Sequence, residues 1–127
     1  MTNNKQYQIQ SFIDGYQTCL SWMAECHQYD YSDTAYEKNR KDCGAFVNEN
    51  YALLCQYVDL IVPNEWDAWE RAGHDFALTR NGYGTGFWDR DYKDKEGDKV
   101  GQALTNASKK AGEVYLYIND CDEIETE

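Results

Sequence analysis

The segment from residue 73 to residue 90, which reads GHDFALTRNGYGTGFWDR, constrains this chain more than any other part of it. It holds four of the nine glycines, one of the two histidines, two arginines and two aspartates around an adjacent phenylalanine and tryptophan. Glycine adopts backbone conformations that other residues avoid, so glycines at this density define a path for the chain. Polar side chains beside such a path are held in defined places, which makes this segment a candidate functional site.

The composition indicates one folded domain that covers residues 1–127. A chain of 127 residues has the size of a single domain. Hydrophobic residues make up 42% of it and aromatic residues 15%, which is too rich for a disordered protein. The polar start resembles no signal peptide, and no apolar run approaches the ~20 residues that span a bilayer, so we expect no membrane partner. Five cysteines without a C-x-x-C pair fit reduced thiols in a cytoplasm.

The net charge restricts the class of partner. Twelve basic side chains against 23 acidic ones give a net charge of -11 at pH 7. A chain this acidic repels phosphate backbones, so we do not expect it to bind nucleic acid directly. The acidic excess can serve solubility alone. It can instead attract a protein partner with a basic groove, including a groove that normally holds nucleic acid.

The first half of the chain is helical by its hydrophobic period. Apolar residues three and four positions apart predict a helix from about residue 7 to residue 28. Thr34 and Glu37 have the spacing of a capping box at the start of a second helix, which Pro63 ends. A short third helix follows, with Gly73 as its C-terminal glycine.

The hydrophobic period changes in the second half, and the pattern there predicts a hairpin, a helix and a strand. Residues 76–80 and 86–89 are strand candidates on either side of a strong turn signal at Asn81-Gly82. A fourth helix is expected over residues 99–111, with Asp98 as its N-cap. The alternating, β-branched residues 114–118 then predict a strand.

These elements predict an α+β fold in the order α-α-α-β-β-α-β. N-terminal helices would pack on a small antiparallel sheet of two to three strands. The segment 120–127 contains five acidic residues and no basic one, and we expect it to be a flexible tail.

Motifs for phosphate and metal binding fail on their spacing. Glycines 82, 84 and 86 read G-x-G-x-G, whereas a dinucleotide site needs G-x-G-x-x-G between a strand and a helix, and no Walker lysine follows. The acidic run 89–100 matches a calcium loop only at its first and third positions. The two histidines lack the spacing of zinc ligands. We therefore expect neither a metal nor a cofactor.

Three polar residues of the segment are candidates for a catalytic site, namely His74, Asp75 and Arg80. A histidine and a carboxylate can form a general base and the group that orients it, and an arginine can hold an anion. Adjacent side chains on a strand point to opposite faces, which argues against His74 and Asp75 serving one site. In the structural alternative, His74 caps carbonyls at a helix end while Asp75 or Asp89 pairs with Arg80.

A protein-binding face is the other candidate site. Several tyrosines and tryptophans lie in polar or glycine-rich surroundings, so they should be exposed. Exposed aromatic rings beside carboxylates are typical of interfaces. The candidate partner-binding residues are Tyr83, Trp88, Asp89, Asp91, Asp94, Glu96, Asp120, Asp122 and Glu123.

The pattern GHDFxLTRNGxGxGFWDR at residues 73–90 resembles the signature of a family of short proteins encoded by tailed bacteriophages and prophages. The similarity extends more loosely over residues 101–104 and 112–120, so it covers about the C-terminal half. Members of that family often carry a histidine at the position of Tyr83. An activity that needs this second histidine is therefore not expected here.

The resemblance and the charge together predict a function. A cytoplasmic phage protein without enzymatic activity would bind and inhibit a host protein that has a basic surface. Anti-CRISPR proteins and other DNA mimics act in this way by occupying a nucleic-acid-binding groove. One alternative is a small enzyme with a site on the glycine-rich hairpin that uses His74, Asp75 and Arg80. Another is a structural accessory domain.

Overall fold

The computed structural model describes residues 4–127, which form five helices followed by a two-stranded antiparallel sheet. The helices are α1 (Asn4–Met23), α2 (Asp33–Glu49), α3 (Tyr51–Leu60), α4 (Ala68–Arg80) and α5 (Lys95–Lys110), and the strands are β1 (Leu116–Ile118) and β2 (Ile124–Thr126). The prediction of helices combined with a small antiparallel sheet is confirmed. Within this part of the chain, no helix is long and apolar enough to cross a membrane.

Helices α1 and α4 cross at two glycines. Gly15 on α1 lies against the backbone carbonyl of Glu70, and Gly73 on α4 lies against that of Phe12. A Cβ atom at either glycine would overlap the carbonyl oxygen opposite it, so only glycine permits this approach. The prediction that Gly73 ends a helix is therefore wrong, because the residue lies inside α4 and is required there for close packing.

An aromatic core lies between α1, α2 and α4. The side chains of Phe12, Tyr16, Phe46 and Phe76 are buried, and the ring centroid of Phe76 lies 4.1 Å from that of Phe46 and 5.3 Å from that of Tyr16. Phe87, from the loop that follows α4, is fully buried against the same cluster. Each aromatic side chain buries about 150–250 Å², so these rings supply a large share of the apolar area that stabilises the fold.

Helix α2 begins at a different cap from the predicted one. The hydroxyl of Ser32 accepts the N–H three residues further on, at 3.0 Å, so Ser32 is the N-cap and the capping box at Thr34 and Glu37 is wrong. Glu37 instead accepts hydrogen bonds from Arg40. Ser32 is the N-cap because its backbone is extended there, with its N–H bonded to the Ile124 carbonyl of β2. The predicted long second helix is also interrupted, at Asn50, and becomes α2 and α3.

The predicted strands at residues 76–80 and 86–89 are wrong. Residues 76–80 continue α4, and all five are buried, because this end of the helix is surrounded by other elements. An apolar run without an exposed face has no helical period, so it resembles a buried strand. Residues 86–89 lie in a loop. The turn at Asn81-Gly82 is confirmed, and Gly82 has a φ of 63°, which favours glycine.

The last helix and the hairpin complete the chain. Helix α5 begins one turn earlier than predicted, because the carboxylate of Asp94, rather than that of Asp98, accepts the first N–H groups of the helix. Residues 120–127, which we expected to be flexible, form the turn and the second strand of a hairpin. Ile124 of β2 is fully buried, and it anchors this acidic segment to the rest of the fold.

All five cysteines are free thiols. Cys19 and Cys43 are buried, as expected for small core residues, and Cys55 is half-buried. Burial raises the pKa of the Cys19 thiol to about 12, and the pKa of Cys43 is raised for the same reason. Both side chains are therefore uncharged thiols at neutral pH.

Replacing Gly73 with alanine should destabilise the protein by about 1–3 kcal/mol, because the added methyl group pushes α1 and α4 apart. Gly44, in the middle of α2, is the matched control, since a Cβ atom there meets nothing within 4 Å. Gly44→Ala should stabilise the protein by about 0.5–1 kcal/mol, because alanine is the better helix former. Urea unfolding measures both changes. Equal unfolding midpoints for Gly73→Ala and the original protein would contradict the glycine crossing.

Candidate functional site

Asp75 is a buried carboxylate in the middle of α4, with a relative exposure of 1%. Arg90 donates hydrogen bonds to its Oδ1 from Nε at 2.9 Å and from Nη2 at 2.6 Å. The hydroxyl of Tyr57 donates to Oδ2 at 2.8 Å. Burial and the charge of Asp75 raise the pKa of Tyr57, so this hydroxyl keeps its proton. The carboxylate is thus fully engaged in charge-assisted hydrogen bonds.

The ion pair between Asp75 and Arg90 fixes one end of the glycine-rich loop, which we define as residues 81–90. Two further contacts fix its middle. The N–H of Phe87 donates to Oγ1 of Thr79 at 3.3 Å, and the hydroxyl of Tyr92 donates to the carbonyl of Phe87 at 2.6 Å. With Phe87 fully buried between these contacts, the loop is held against the helices rather than projecting from them.

Arg80 belongs to a second buried network. Its Nη1 donates to Oδ2 of Asp42 at 3.0 Å and to the hydroxyl of Tyr16 at 2.8 Å. Its other nitrogens donate to the carbonyls of Ala111 at 3.0 Å and Gly112 at 2.7 Å, beyond the end of α5. One guanidinium group therefore joins α1, α2, α4 and the C-terminal end of α5.

The three candidate catalytic residues do not converge. Positions 75 and 80 of a helix point about 140° apart, and each side chain forms an ion pair on its own side of α4. The predicted pairing of Arg80 with Asp75 or Asp89 is wrong. Asp75 forms its ion pair with Arg90, and Arg80 forms one with Asp42. His74 lies inside α4 rather than at its end, so it caps no carbonyls there.

His74 lies at the rim of a surface cavity of about 330 Å³. The other lining residues are Gly15, Thr18, Asn64, Trp66, Glu70, Arg71, Asp75 and Arg90. Partial desolvation of the imidazole lowers the pKa of His74 from its usual value of 6.5. The charge of Asp75 opposes this shift, and the charge of Arg90 adds to it. The imidazole is therefore neutral at pH 7.

The cavity holds the imidazole of His74, and no carboxylate among residues 4–127 is hydrogen-bonded to that ring, including the lining residues Glu70 and Asp75. A general base needs a group that fixes its tautomer, and the carboxylate of Asp75 is already engaged by Arg90 and Tyr57. Among residues 4–127, no group of three or more histidine, cysteine, aspartate or glutamate side chains could hold a metal ion.

The nine candidate partner-binding residues are exposed or half-exposed, and they fall into three groups. They are Tyr83, Trp88 and Asp89 on the glycine-rich loop, Asp91, Asp94 and Glu96 around the start of α5, and Asp120, Asp122 and Glu123 on the hairpin turn. Helix α5, with 16 residues, is about 24 Å long, and it separates the second group from the hairpin.

The two strands present a face that the sequence did not identify. Tyr117 pairs with Glu125, and Tyr115 lies opposite Glu127, whose N–H donates to the Tyr115 carbonyl at 3.0 Å. Because Ile124 points into the core, strand alternation directs these four side chains outward. By the same alternation, Glu113 and Glu123 also lie on this outward side of the hairpin. We define the acidic hairpin face as Glu113, Tyr115, Tyr117, Glu123, Glu125 and Glu127.

Both tyrosines of the acidic hairpin face are exposed, Tyr115 at 58% and Tyr117 at 48%. The sequence from residue 111 to residue 127 contains no lysine or arginine, so nothing on these strands neutralises the glutamates. The carboxylate of Glu125 accepts hydrogen bonds from Ser32 at 2.7 Å and from Asn119 at 2.9 Å, which fixes the hairpin to the start of α2.

No family model, no curated protein and no solved structure matches this chain. The resemblance of residues 73–90 to the phage signature therefore stays a prediction. What the molecule can bind follows from the geometry of the cavity, the glycine-rich loop and the acidic hairpin face.

Replacing Arg90 with methionine should cost about 3–5 kcal/mol, because it leaves the charge of Asp75 buried and unpaired. The double variant Asp75→Leu, Arg90→Met removes both charges and should recover much of that loss. Arg40→Met is the control, since Arg40 pairs with a glutamate at the surface, and it should change stability little. Urea unfolding of the three variants measures these changes in the free energy of unfolding. Equal destabilisation by Arg40→Met and Arg90→Met would refute a structural role for the buried pair.

The ring of His74 should titrate with a midpoint below 6.5 in an NMR pH series. As the pH falls below about 6.5, the unfolded chain binds a proton at this histidine before the native chain does. The free energy of unfolding should therefore decrease from that pH down to the native pKa. His74→Gln should remove this part of the pH dependence. A midpoint at or above 6.5 would show that the cavity does not influence the ring.

Proposed function

We propose that this protein is a binding protein whose acidic hairpin face contacts a basic surface on another protein. The observation that carries the proposal is the combination, on one face, of two exposed tyrosine rings with four glutamates and no basic residue. Tyrosine rings supply rigid, amphipathic contact area at interfaces, and carboxylates around them attract cationic side chains. Such a face suits lysine and arginine side chains on the partner.

The charge of the whole chain supports the same partner. A net charge of -11 produces a negative potential that accelerates encounters with basic surfaces. The effect weakens as salt shortens the range of electrostatic attraction to about 8 Å at physiological ionic strength. Binding that declines with salt is therefore part of the proposal.

Two buried ion pairs favour a binding role over a catalytic one. Asp75 is held by Arg90 and Arg80 is held by Asp42, so neither is free to act on a substrate. The enzyme alternative would have to rely on His74, whose side chain makes no hydrogen bond to another residue among 4–127. The two exposed tyrosines also favour a binding protein over a purely structural accessory domain.

The resemblance to the phage signature supports a host protein as the partner. In this proposal the protein acts in the cytoplasm of the host cell and inhibits a protein that has a basic groove. The acidic hairpin face would occupy a groove that otherwise holds nucleic acid, as an anti-CRISPR protein or another DNA mimic does. The carboxylates of the face would then stand in for phosphates, with the tyrosine rings adding apolar contact.

Capture from a bacterial lysate tests this function if the captured proteins are challenged with duplex DNA. The immobilised protein should retain nucleic-acid-binding proteins, and both added duplex and added salt should release them. The double variant Glu123→Lys, Glu127→Lys should bind them more than about tenfold more weakly, because like charges then face each other.

The matched control places the same charge change elsewhere. Glu49→Lys with Asp59→Lys alters two exposed residues, at the end of α2 and on α3, so its net charge equals that of the hairpin variant. This control should keep most of its binding. If both variants bind equally well, or if duplex DNA releases nothing, the proposed function is wrong.

A further inference from the structure

Strand β1 has one edge paired with β2 and one open edge. The hydrogen bond from the Glu127 N–H to the Tyr115 carbonyl shows which positions of β1 face β2. Along an antiparallel pair, residues whose backbone groups face the paired strand alternate with residues whose backbone groups face away from it. Tyr115 faces β2, so the N–H and C=O groups of Leu116 and Ile118 point away from β2. Among residues 4–127, no group outside β2 pairs with either backbone. Because buried unpaired backbone groups are rare, these groups are hydrated.

The outward position of β2 at Ile124 is occupied, in contrast to those of β1 at Leu116 and Ile118. The N–H of Ile124 donates to the Asp30 carbonyl at 2.8 Å, and the Ile124 carbonyl accepts the Ser32 N–H at 2.9 Å. The segment before α2 thus covers the far edge of β2. At Leu116 and Ile118 nothing in the described part of the chain covers the β1 side, so this side can accept another strand.

The open edge of β1 already binds an amide group at its first position. Asn81 donates its Nδ2 to the carbonyl of Val114 at 3.1 Å and accepts the Val114 N–H with its Oδ1 at 2.9 Å. These two bonds reproduce the pair that one residue of a neighbouring strand would make. Leu116 and Ile118 follow Val114 at every second position, so they present two more pairs in the same direction.

The two faces of β1 determine what an added strand would carry. On the outward face, Tyr115 and Tyr117 lie beside the glutamates of the acidic hairpin face. Lysine or arginine side chains on that face of the added strand would lie over the tyrosine rings and near the carboxylates. On the opposite face, Leu116 packs on the core and Ile118 is 37% exposed, which favours apolar neighbours.

We propose that an extended segment of the partner protein, in which basic and apolar residues alternate, adds to the open edge of β1 as a further strand. This inference rests on the proposed function and specifies how the partner is held. Main-chain hydrogen bonds at Leu116 and Ile118 contribute affinity, as in other complexes formed by strand addition. The alternation of basic and apolar side chains matches the two faces of β1 and gives selectivity.

A short synthetic peptide in which lysine and valine alternate is the probe. On binding, the amide protons of Leu116 and Ile118 should exchange with solvent at least about tenfold more slowly, because they gain hydrogen-bond partners. The amide of Tyr117 faces β2 and should be protected with and without peptide. A peptide of the same composition, with its lysines grouped at one end, should bind more than about tenfold more weakly. Equal binding of the two peptides, or unchanged exchange at both outward amides, would overturn the inference.

Ile118→Pro tests the edge from the side of the protein. Proline removes the outward N–H of residue 118 and leaves the bonds between β1 and β2 intact. Peptide binding should be lost in Ile118→Pro and kept in Ile118→Thr, which retains both the N–H and the preference for strands. Circular dichroism would show whether Ile118→Pro is folded. If it is not, amide exchange at Leu116 and Ile118 in the original protein tests the inference instead.

The two proposals fail in different ways. If the alternating peptide does not bind while duplex DNA still releases captured proteins, the edge inference is wrong and the proposed function stands. If capture is insensitive to Glu123→Lys with Glu127→Lys, the proposed function is wrong. If the peptide still protected the amides of Leu116 and Ile118, the open edge would bind an added strand but would have no part in the proposed function.

Discussion

The buried ion pair between Asp75 and Arg90 connects the two halves of this molecule. Asp75 lies in the middle of α4, and Arg90 closes the glycine-rich loop that leads towards α5. Removing two charges from water costs several kcal/mol for each ion, and the pair is tolerated because its hydrogen bonds are well made. The hydroxyl of Tyr57 completes the arrangement from α3. The pair fixes the end of the glycine-rich loop against α4, while Thr79 and Tyr92 hold Phe87 in the middle of the loop.

Most residues of the segment 73–90 have a structural task. Gly73 permits the helix crossing, Thr79 accepts the Phe87 N–H, and Arg80 joins four helices. Asn81 then connects the end of α4 to the hairpin through Val114. The density of glycine and charge that suggests a catalytic loop thus arises from close packing and from buried polar contacts. The acidic hairpin face, on a different part of the chain, is the surface that we propose for binding.

The sequence predicts elements whose pattern is local. The period of α1, the turn at Asn81-Gly82 and the alternation of β1 are all visible in the residues themselves. The end of α4 is not, because residues 76–80 are buried on every side and show no helical period. Residues 123–127 read E-I-E-T-E, an alternation typical of a strand, but their charge suggests a disordered tail more strongly.

The candidate site depends on contacts between distant residues, which no local pattern contains. Nothing in the sequence selects Arg90 over Arg80 as the partner of Asp75, because the choice depends on the direction of each side chain around α4. The cavity beside His74 forms only where α1 crosses α4. Composition predicts a basic partner, whereas the register of β1 and β2 determines which glutamates share a face with tyrosine.

Carbodiimide crosslinking followed by mass spectrometry tests most directly where a basic partner binds. The reagent joins carboxylates to lysines that touch them, and it can be applied to complexes with captured proteins or with the alternating peptide. We expect crosslinks at Glu113, Glu123 and Glu127, on the acidic hairpin face. Crosslinks confined to Glu70, beside the cavity, or to Glu96, at the start of α5, would contradict the assignment of that face as the binding surface.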